Sequence, residues 1–315
     1  MASDDHEWAA TRAWVAERLP EGRTVRNWTD LRGGWTSRMR GLTLDDGTGL
    51  VLRSFVKPFF RLHAPGLLNR EAEILTLLAS YDGIPAPRLH AVDPTAELAD
   101  HPSLLMSLLP GSLRMAQDAD LEARLDLLAG QLARIHAVVP ERRPRTYQAW
   151  TSPERVSTPG GALWERAVEV IRREAPAYEG CFLHRDFHPG NVLFTGTGTG
   201  DGAGGGLRVS GVVDWVETSW GPADLDVAHC STALALLYGV EHGLGFRERY
   251  EARGGRRPAV DQDHVYWRLL DALGYAPDAE KFAVPWRELG RTDLTPGVLG
   301  ARLEGYVGGV LERYA

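Results

Sequence analysis

Apolar residues recur at helical spacing over residues 7–19, where Trp8, Ala9, Val15 and Leu19 share a stripe that stops at Pro20. The period then changes. A glycine turn within Arg32-Gly33-Gly34-Trp35-Thr36-Ser37 precedes Met39, Leu42 and Leu44, and Asp46-Gly47 marks a hairpin into Leu50–Val56. Strand parity places Val51, Arg53, Phe55 and Lys57 on one face, until Pro58 ends the run. Helical spacing returns over 67–79, with Ile74, Leu75, Leu77 and Leu78 as its stripe. Glu71 falls three and four residues before Ile74 and Leu75, so its carboxylate is aimed at the packed side. A charge there is costly without a partner, and Arg53 is the candidate.

Prolines 85, 87, 94 and 102 break up the next segment, and Ser103–Leu109 is another apolar strand, ending at Pro110-Gly111. Beyond it the pattern is mostly helical, over 121–139, 162–175 and 227–240. Two short strands, 191–195 and 207–213, lie between the last two helices. The glycine run 196–206 that joins them leads into a strand, not a helix N-terminus, and is expected to be a flexible hairpin tip and not a phosphate cradle. No internal repeat is evident. The expected class is α+β, with a small strand-rich domain at 1–107 and a larger helical domain at 108–315.

The chain has 315 residues, 43% hydrophobic and 24% charged, as expected of a folded chain with two modest cores. Lysine and arginine total 35 against 42 acidic residues, a net charge of −7, and no extended basic run offers itself to phosphates. Nucleic acid is excluded as a partner on that ground. The longest apolar stretch, Val227–Val240, is interrupted by His229, Ser231 and Thr232 and reads as a buried helix, so no membrane span is expected. MASDDHEWAA lacks the apolar centre of a secretory signal, and the expected location is cytoplasmic. Cys181 and Cys230 have no CxxC spacing and are expected to be reduced core residues.

The densest polar chemistry lies in LHRDFHPGNVLF, residues 183–194. Asp186 and Asn191 stand five apart around Pro189-Gly190, and after the next strand pair Val212-Val213 leads into Asp214. Phosphoryl transfer needs a carboxylate to accept the proton of an attacking hydroxyl, and oxygen donors to hold magnesium against the triphosphate. Asp186 suits the first service, and Asn191 with Asp214 suits the second. Residues 184–191 follow the kinase pattern H-R-D-x-x-x-x-N.

In these motifs the chain resembles the aminoglycoside phosphotransferase and choline kinase-like superfamily, small-molecule relatives of the protein kinases. The resemblance rests on RGGWTSR (32–38), VLR (51–53), NREAEIL (69–75), IPAPRLHAVD (84–93), LLMSLLPG (104–111), LARIHAV (132–138), LHRDFHPGNVLF (183–194) and VVDWVETSWGPADLDVA (212–228). It implies a bilobal protein-kinase-like fold, a small antiparallel-sheet lobe and a larger helical lobe. It further implies ATP or GTP as donor, Mg2+ as cofactor and a hydroxylated small molecule as acceptor, and implies nothing about oligomeric state. Asp186 would be the base, Asn191 and Asp214 the magnesium ligands, and Arg53 paired with Glu71 would sit over the phosphates. The Gly33-Gly34 turn with Ser37 would cover those phosphates, and Met106 to Leu108 would form a hinge whose backbone binds adenine. His184 and His188 would support the catalytic loop, and Asp224 and Asp226 would brace it.

Three positions depart from the pattern. Arg53 stands where protein kinases have lysine, and Lys57 on the same strand face is its rival for the phosphates. GGWTSR is not G-x-G-x-x-G, and Arg185 occupies a place where the superfamily more often has a small residue. No A-P-E follows Asp214, which argues against a protein substrate. For the acceptor, Glu217, Asp261 and Asp263, with Asp271, suggest a carboxylate-lined cleft for an aminoglycoside-type antibiotic, hence a resistance or self-protection enzyme. The tryptophans of the larger domain suit a macrolide instead, and a metabolite or biosynthetic intermediate is a further alternative. A non-catalytic nucleotide-binding module is the alternative of another class, and the presence of Asp186, Asn191 and Asp214 together counts against it.

Overall fold

The computed structural model describes residues 8–31, 36–113, 120–196 and 206–314. Its contacts divide into two units, one reaching to Pro110 and including Gly211–Val216, the other made of Gly111–Ser210 and Glu217 onward. Residues 211–216 thus pack with the first unit, although they follow more than a hundred residues of the second.

In the first unit, helix α1 (Ala9–Glu17) precedes strands β1 (Val25–Leu31), β2 (Arg38–Leu44) and β3 (Gly49–Ser54); helix α2 (Pro58–Leu78) and strands β4 (Leu89–Asp93) and β5 (Ser103–Ser107) follow. The five strands form an antiparallel sheet in the order β1-β2-β3-β5-β4. Leu42, Leu44, Leu50, Leu52 and Leu105 fill one face against Trp14 and Val15 of α1. By the two-residue period, Val51 and Arg53 point the other way. Arg53 lies opposite Met39 and Leu104, in the body of the sheet.

Two strands of the first unit escaped the sequence reading. β1 and β4 are the sheet edges, mostly exposed or half-exposed, so they lack the apolar alternation that betrays an inner strand. Helix α2 also begins nine residues before the expected start at residue 67. Pro58 occupies the first turn, where proline is tolerated, and the helix continues through Pro65.

In the second unit, helices α3 (Leu121–His136) and α4 (Ala162–Arg172) precede strand β6 (Gly180–Leu183). A short 3₁₀ turn, Pro189–Asn191, leads to β7 (Val192–Thr195), which pairs with β8 (Arg208–Val212); β9 (Ser219–Pro222) pairs antiparallel with β6. Helices α5 (Asp224–Tyr238), α6 (Val240–Leu244), α7 (Phe246–Ala252), α8 (Asp263–Leu273), α9 (Glu280–Glu288) and α10 (Pro296–Tyr314) complete it. Every residue of α5 from Leu225 to Tyr238 is buried, so this helix is the axis of the unit, with α6, α7, α8 and α10 packed around it. The glycine run lies mostly outside the described residues.

The Pro110-Gly111 corner requires glycine. Gly111 has φ +106, and a Cβ there would lie 2.6 Å from the Phe194 carbonyl oxygen. Cys181 and Cys230 are free and buried, and burial pushes both thiols up, away from reactivity. Among the described residues no helix is long and apolar enough to cross a membrane.

Candidate active site

In the first unit a guanidinium is clamped between two carboxylates. Arg53 donates to Glu71 at 2.7 Å and pairs with Asp214 at 3.0 Å, and the Trp215 N–H also donates to Glu71. Burial opposes the charge on Arg53, but Asp214 and Glu71 outweigh it and hold its proton more tightly than usual. Burial, reinforced by Asp214, pushes the Glu71 carboxyl up against the pull of Arg53.

The backbone carrying Asp214 is pinned on three sides. Val212 N–H donates to the Pro85 carbonyl at 2.8 Å, Trp215 Nε1 to the Val212 carbonyl at 2.9 Å, and Arg70 to the Val216 carbonyl at 3.0 Å. Asp214 itself has φ +65, a left-handed conformation that aspartate accepts more readily than most residues. Lys57, exposed at the start of α2, has no part in the Arg53–Glu71–Asp214 group. Arg53 Nε is buried with no hydrogen-bond partner among the described residues.

Other positions in this unit fare differently. Ser37 is buried, with its hydroxyl toward Met39 Sδ, while Gly33 and Gly34 lie outside the described residues. Met106 lies in the inner strand β5, flanked by β3 and β4. The N–H groups of Ser107 and Leu108 are taken by the carbonyls of Arg88 and Gly49. The Leu108 N–H is thus already engaged by the Gly49 carbonyl.

In the second unit the loop after β6 is held by one buried carboxylate. Asp226 accepts from the N–H groups of His184 and Arg185, each at 2.8 Å, and bonds His136 Nε2 at 3.2 Å. His136 Nδ1 in turn meets the Tyr250 hydroxyl at 2.7 Å. These contacts hold Arg185 at φ +74, a strained conformation for a side-chain-bearing residue. His184 Nδ1 accepts from the Asp186 N–H, and His188 Nδ1 from the Gly190 N–H. Both histidines therefore shape the loop backbone. Asp224 is not brought to this loop. Burial pushes its carboxyl up to about 6 against the pull of Arg247, with Glu251 and Asp263 adding to the rise.

Both oxygens of Asp186 are engaged. Asn191 Nδ2 donates to Oδ2 at 3.0 Å and to the Asp186 carbonyl at 2.8 Å, while His229 Nε2 bonds Oδ1 at 3.1 Å. His229 Nδ1 bonds Asp271 Oδ1 at 2.9 Å, so one imidazole bridges two carboxylates. Burial works against charge on His229, but Asp271 and Asp186 together raise its pKa to about 10. Burial would raise the Asp186 carboxyl, yet His188 and His229 hold it below the usual carboxylate range.

Sequence reasoning noted His229 only as an interruption of an apolar stretch. The signal was there: a histidine inside a helix otherwise buried on all sides needs partners, and here they are acidic. Asp186, His188 and His229 bring ligand atoms within 4.8 Å of one another, a spacing that suits a cation. His229 has a carboxylate on each nitrogen and is doubly protonated, which leaves it no lone pair for a metal.

A cleft of about 350 Å³ adjoins this group, lined by Trp150, Arg155, Arg185, Asp271, Tyr275 and Lys281 among others. Of the acidic residues named for an acceptor, only Asp271 reaches it. Glu217 is paired with Arg145, the highly exposed Asp261 is paired with Arg247, and Asp263 lines a separate cavity with Arg166 and Tyr266. None of these three lines this cleft.

A model of the phosphotransferase enzyme family matches residues 27–269. None of the curated proteins matches the sequence. Among solved structures, an aminoglycoside-3′-phosphotransferase of type VIII is 25% identical with a TM-score of 0.56, covering 84% of this chain and 98% of that one. A macrolide 2′-phosphotransferase from Brachybacterium faecium is 17% identical with a TM-score of 0.56, covering 93% and 97%. A thermostable aminoglycoside phosphotransferase mutant, in ternary complex with AMP-PNP and hygromycin B, is 18% identical with a TM-score of 0.62, covering 96% and 98%. The fold is accordingly the α+β protein-kinase-like one. Matched over most of its length, the chain belongs to the phosphotransferase enzyme family and is a small-molecule kinase.

Proposed function

We propose that the protein transfers the γ-phosphoryl group of ATP or GTP to a hydroxyl of a small molecule, with Asp186 as the base. The carrying observation is the fixation of Asp186: Asn191 and His229 each hold one of its carboxylate oxygens. A carboxylate so held stays ionised and presents a fixed acceptor for the proton of the incoming hydroxyl. Its lowered basicity suits a loose transition state, in which the hydroxyl becomes acidic only as its bond to phosphorus forms.

Arg53 would neutralise donor phosphates, and its unpartnered Nε–H is a donor left for that work. Asn191 uses only its nitrogen on Asp186, and Asp214 is about one-third exposed, so each side chain retains an oxygen of the kind that suits magnesium. Mg2+ held by such oxygens would offset the charge of the triphosphate. Aminoglycosides and macrolides are the acceptors named for similar structures, and either carries the hydroxyl that this chemistry requires.

The test is phosphoryl transfer followed by mass spectrometry, with Mg-ATP and Mg-GTP offered separately and Asp186→Ala as the comparison. Turnover in that variant should fall about 10²–10⁴-fold with nucleotide affinity little changed. Undiminished turnover would remove Asp186 from the mechanism.

A further inference from the structure

The cleft beside Asp186 has a charge pattern of its own. Its basic residues are Arg155, Arg185 and Lys281, and its single acid is Asp271. Asp271 already shares the His229 imidazolium with Asp186, which offsets part of its charge, and it is outnumbered by the three cations of the cleft. Arg185 lies within the site, its guanidinium over the Trp150 ring at 4.3 Å and one nitrogen on the Gln148 carbonyl. Arg155 and Lys281 are exposed at the mouth, and among the described residues neither is in an ion pair. Glu154, next to Arg155, bonds Ser152.

One group in the cleft lacks a partner. Asp271 Oδ2 is buried with no hydrogen bond, on a side chain only 9% exposed. A buried carboxylate oxygen in that condition needs a donor, and Asp271 is a lining residue of the cleft. Trp150, about half exposed, faces the same space and packs edge-on against His229 at 5.3 Å. The cleft thus offers an acceptor for a hydroxyl near the base, an aromatic wall, and cations at the mouth.

We propose, resting on the phosphotransferase reading, that the acceptor is a small hydroxylated oxyanion carrying a flat ring, and not a polycationic aminoglycoside. Its hydroxyl lies toward Asp186 and Asp271, its ring lies on Trp150, and its carboxylate or phosphate group meets Arg155 and Lys281. Charge-assisted contacts to an oxyanion are the ones these side chains make best. Several ammonium groups would instead meet three cations.

A matched probe series tests this by calorimetry at low salt on the full chain: 4-(hydroxymethyl)benzoate, 4-(hydroxymethyl)phenyl phosphate, methyl 4-(hydroxymethyl)benzoate, 4-(hydroxymethyl)benzylamine and kanamycin. The carboxylate or the phosphate should bind at least about 10-fold more tightly than the ester and the amine, and which of the two leads identifies the oxyanion. In Arg155→Ala/Lys281→Ala, two exposed changes, that preference should vanish. Tighter binding of the amine or kanamycin, binding of no oxyanion, or an undiminished preference in the double variant would each overturn the proposal. Phosphorylation of kanamycin that is lost in Asp186→Ala would refute the acceptor class and leave the phosphotransferase reading standing. Failure of transfer to every acceptor alongside selective oxyanion binding would do the reverse.

Discussion

Asp226 is the residue whose loss should cost most outside the reacting groups, and its cost can be worked from its contacts. It is fully buried and accepts from two backbone N–H groups at 2.8 Å, with His136 at 3.2 Å. Burial would raise its carboxyl, but His136, His184 and Arg185 hold it below the ordinary range, so it is an anion that its surroundings require. Asp226→Ala strands all three donors without water, at about 1–3 kcal/mol each, or roughly 3–6 kcal/mol allowing for relaxation. Asp226→Asn keeps one accepting oxygen but turns an NH₂ toward the other N–H, and should cost about 2–3 kcal/mol. The loop so released carries Asp186 and Asn191, and a displacement of about 1 Å at a reacting group lowers turnover about 100-fold. Urea unfolding followed by tryptophan fluorescence reads the first effect, and phosphoryl transfer at saturating nucleotide reads the second. An Asn variant with the wild-type unfolding midpoint would refute the energetic reasoning. One that loses stability but keeps its turnover would confine Asp226 to the fold.

Two further outcomes follow from buried charges elsewhere. Glu71→Ala leaves the buried Arg53 guanidinium with Asp214 alone, which should destabilise by about 3 kcal/mol and raise the KM for nucleotide; an unchanged melt together with an unchanged KM would contradict the pairing. His264 is buried against Tyr314, and burial, with Arg247 and Arg268, lowers its pKa to about 3. It is therefore neutral when folded and near 6.5 when unfolded, so its contribution is full above about pH 6.5 and is lost as pH falls toward 3. Between pH 7 and pH 5 the wild type should lose about 2 kcal/mol more than His264→Leu, and equal losses in denaturant melts at the two pH values would refute this.

The inner strands β2, β3 and β5 were legible because their apolar runs are bounded by turn signals, and the two-residue period separates Leu50 and Leu52 from Val51 and Arg53 although both faces of β3 are buried. β1 and β4 were not, since an edge strand that buries little has no reason to alternate. β6 and β9 are four residues each, too short for any period to show. Helix α3 stops at His136 where the apolar pattern runs to Val139, because the residue before Pro140 is driven out of the helical region. The pairing of Arg53 with Glu71 was legible for a simple reason: both sit on elements whose faces the period fixes.

Charge at the site was legible only where it was local in sequence. Asp186 and Asn191 are held five residues apart by one tight turn, so their pattern survives as a string. His229 and Asp271 are 42 residues apart on different helices, α5 and α8, and meet only through packing. The same limit explains why Glu217, Asp261 and Asp263, read from the sequence, pointed toward a polycationic acceptor. A net charge of −7 counts Glu217 and Asp261 at full value, yet each is matched by an arginine in the folded chain. Arg155, Arg185 and Lys281 lie up to 126 residues apart in sequence and gather around one cleft. A ligand meets the local field, which falls off within about 8–10 Å at ordinary salt, and not the sum over the chain. At that range this cleft presents cations around a carboxylate already committed to an imidazolium, and its chemistry selects an oxyanion.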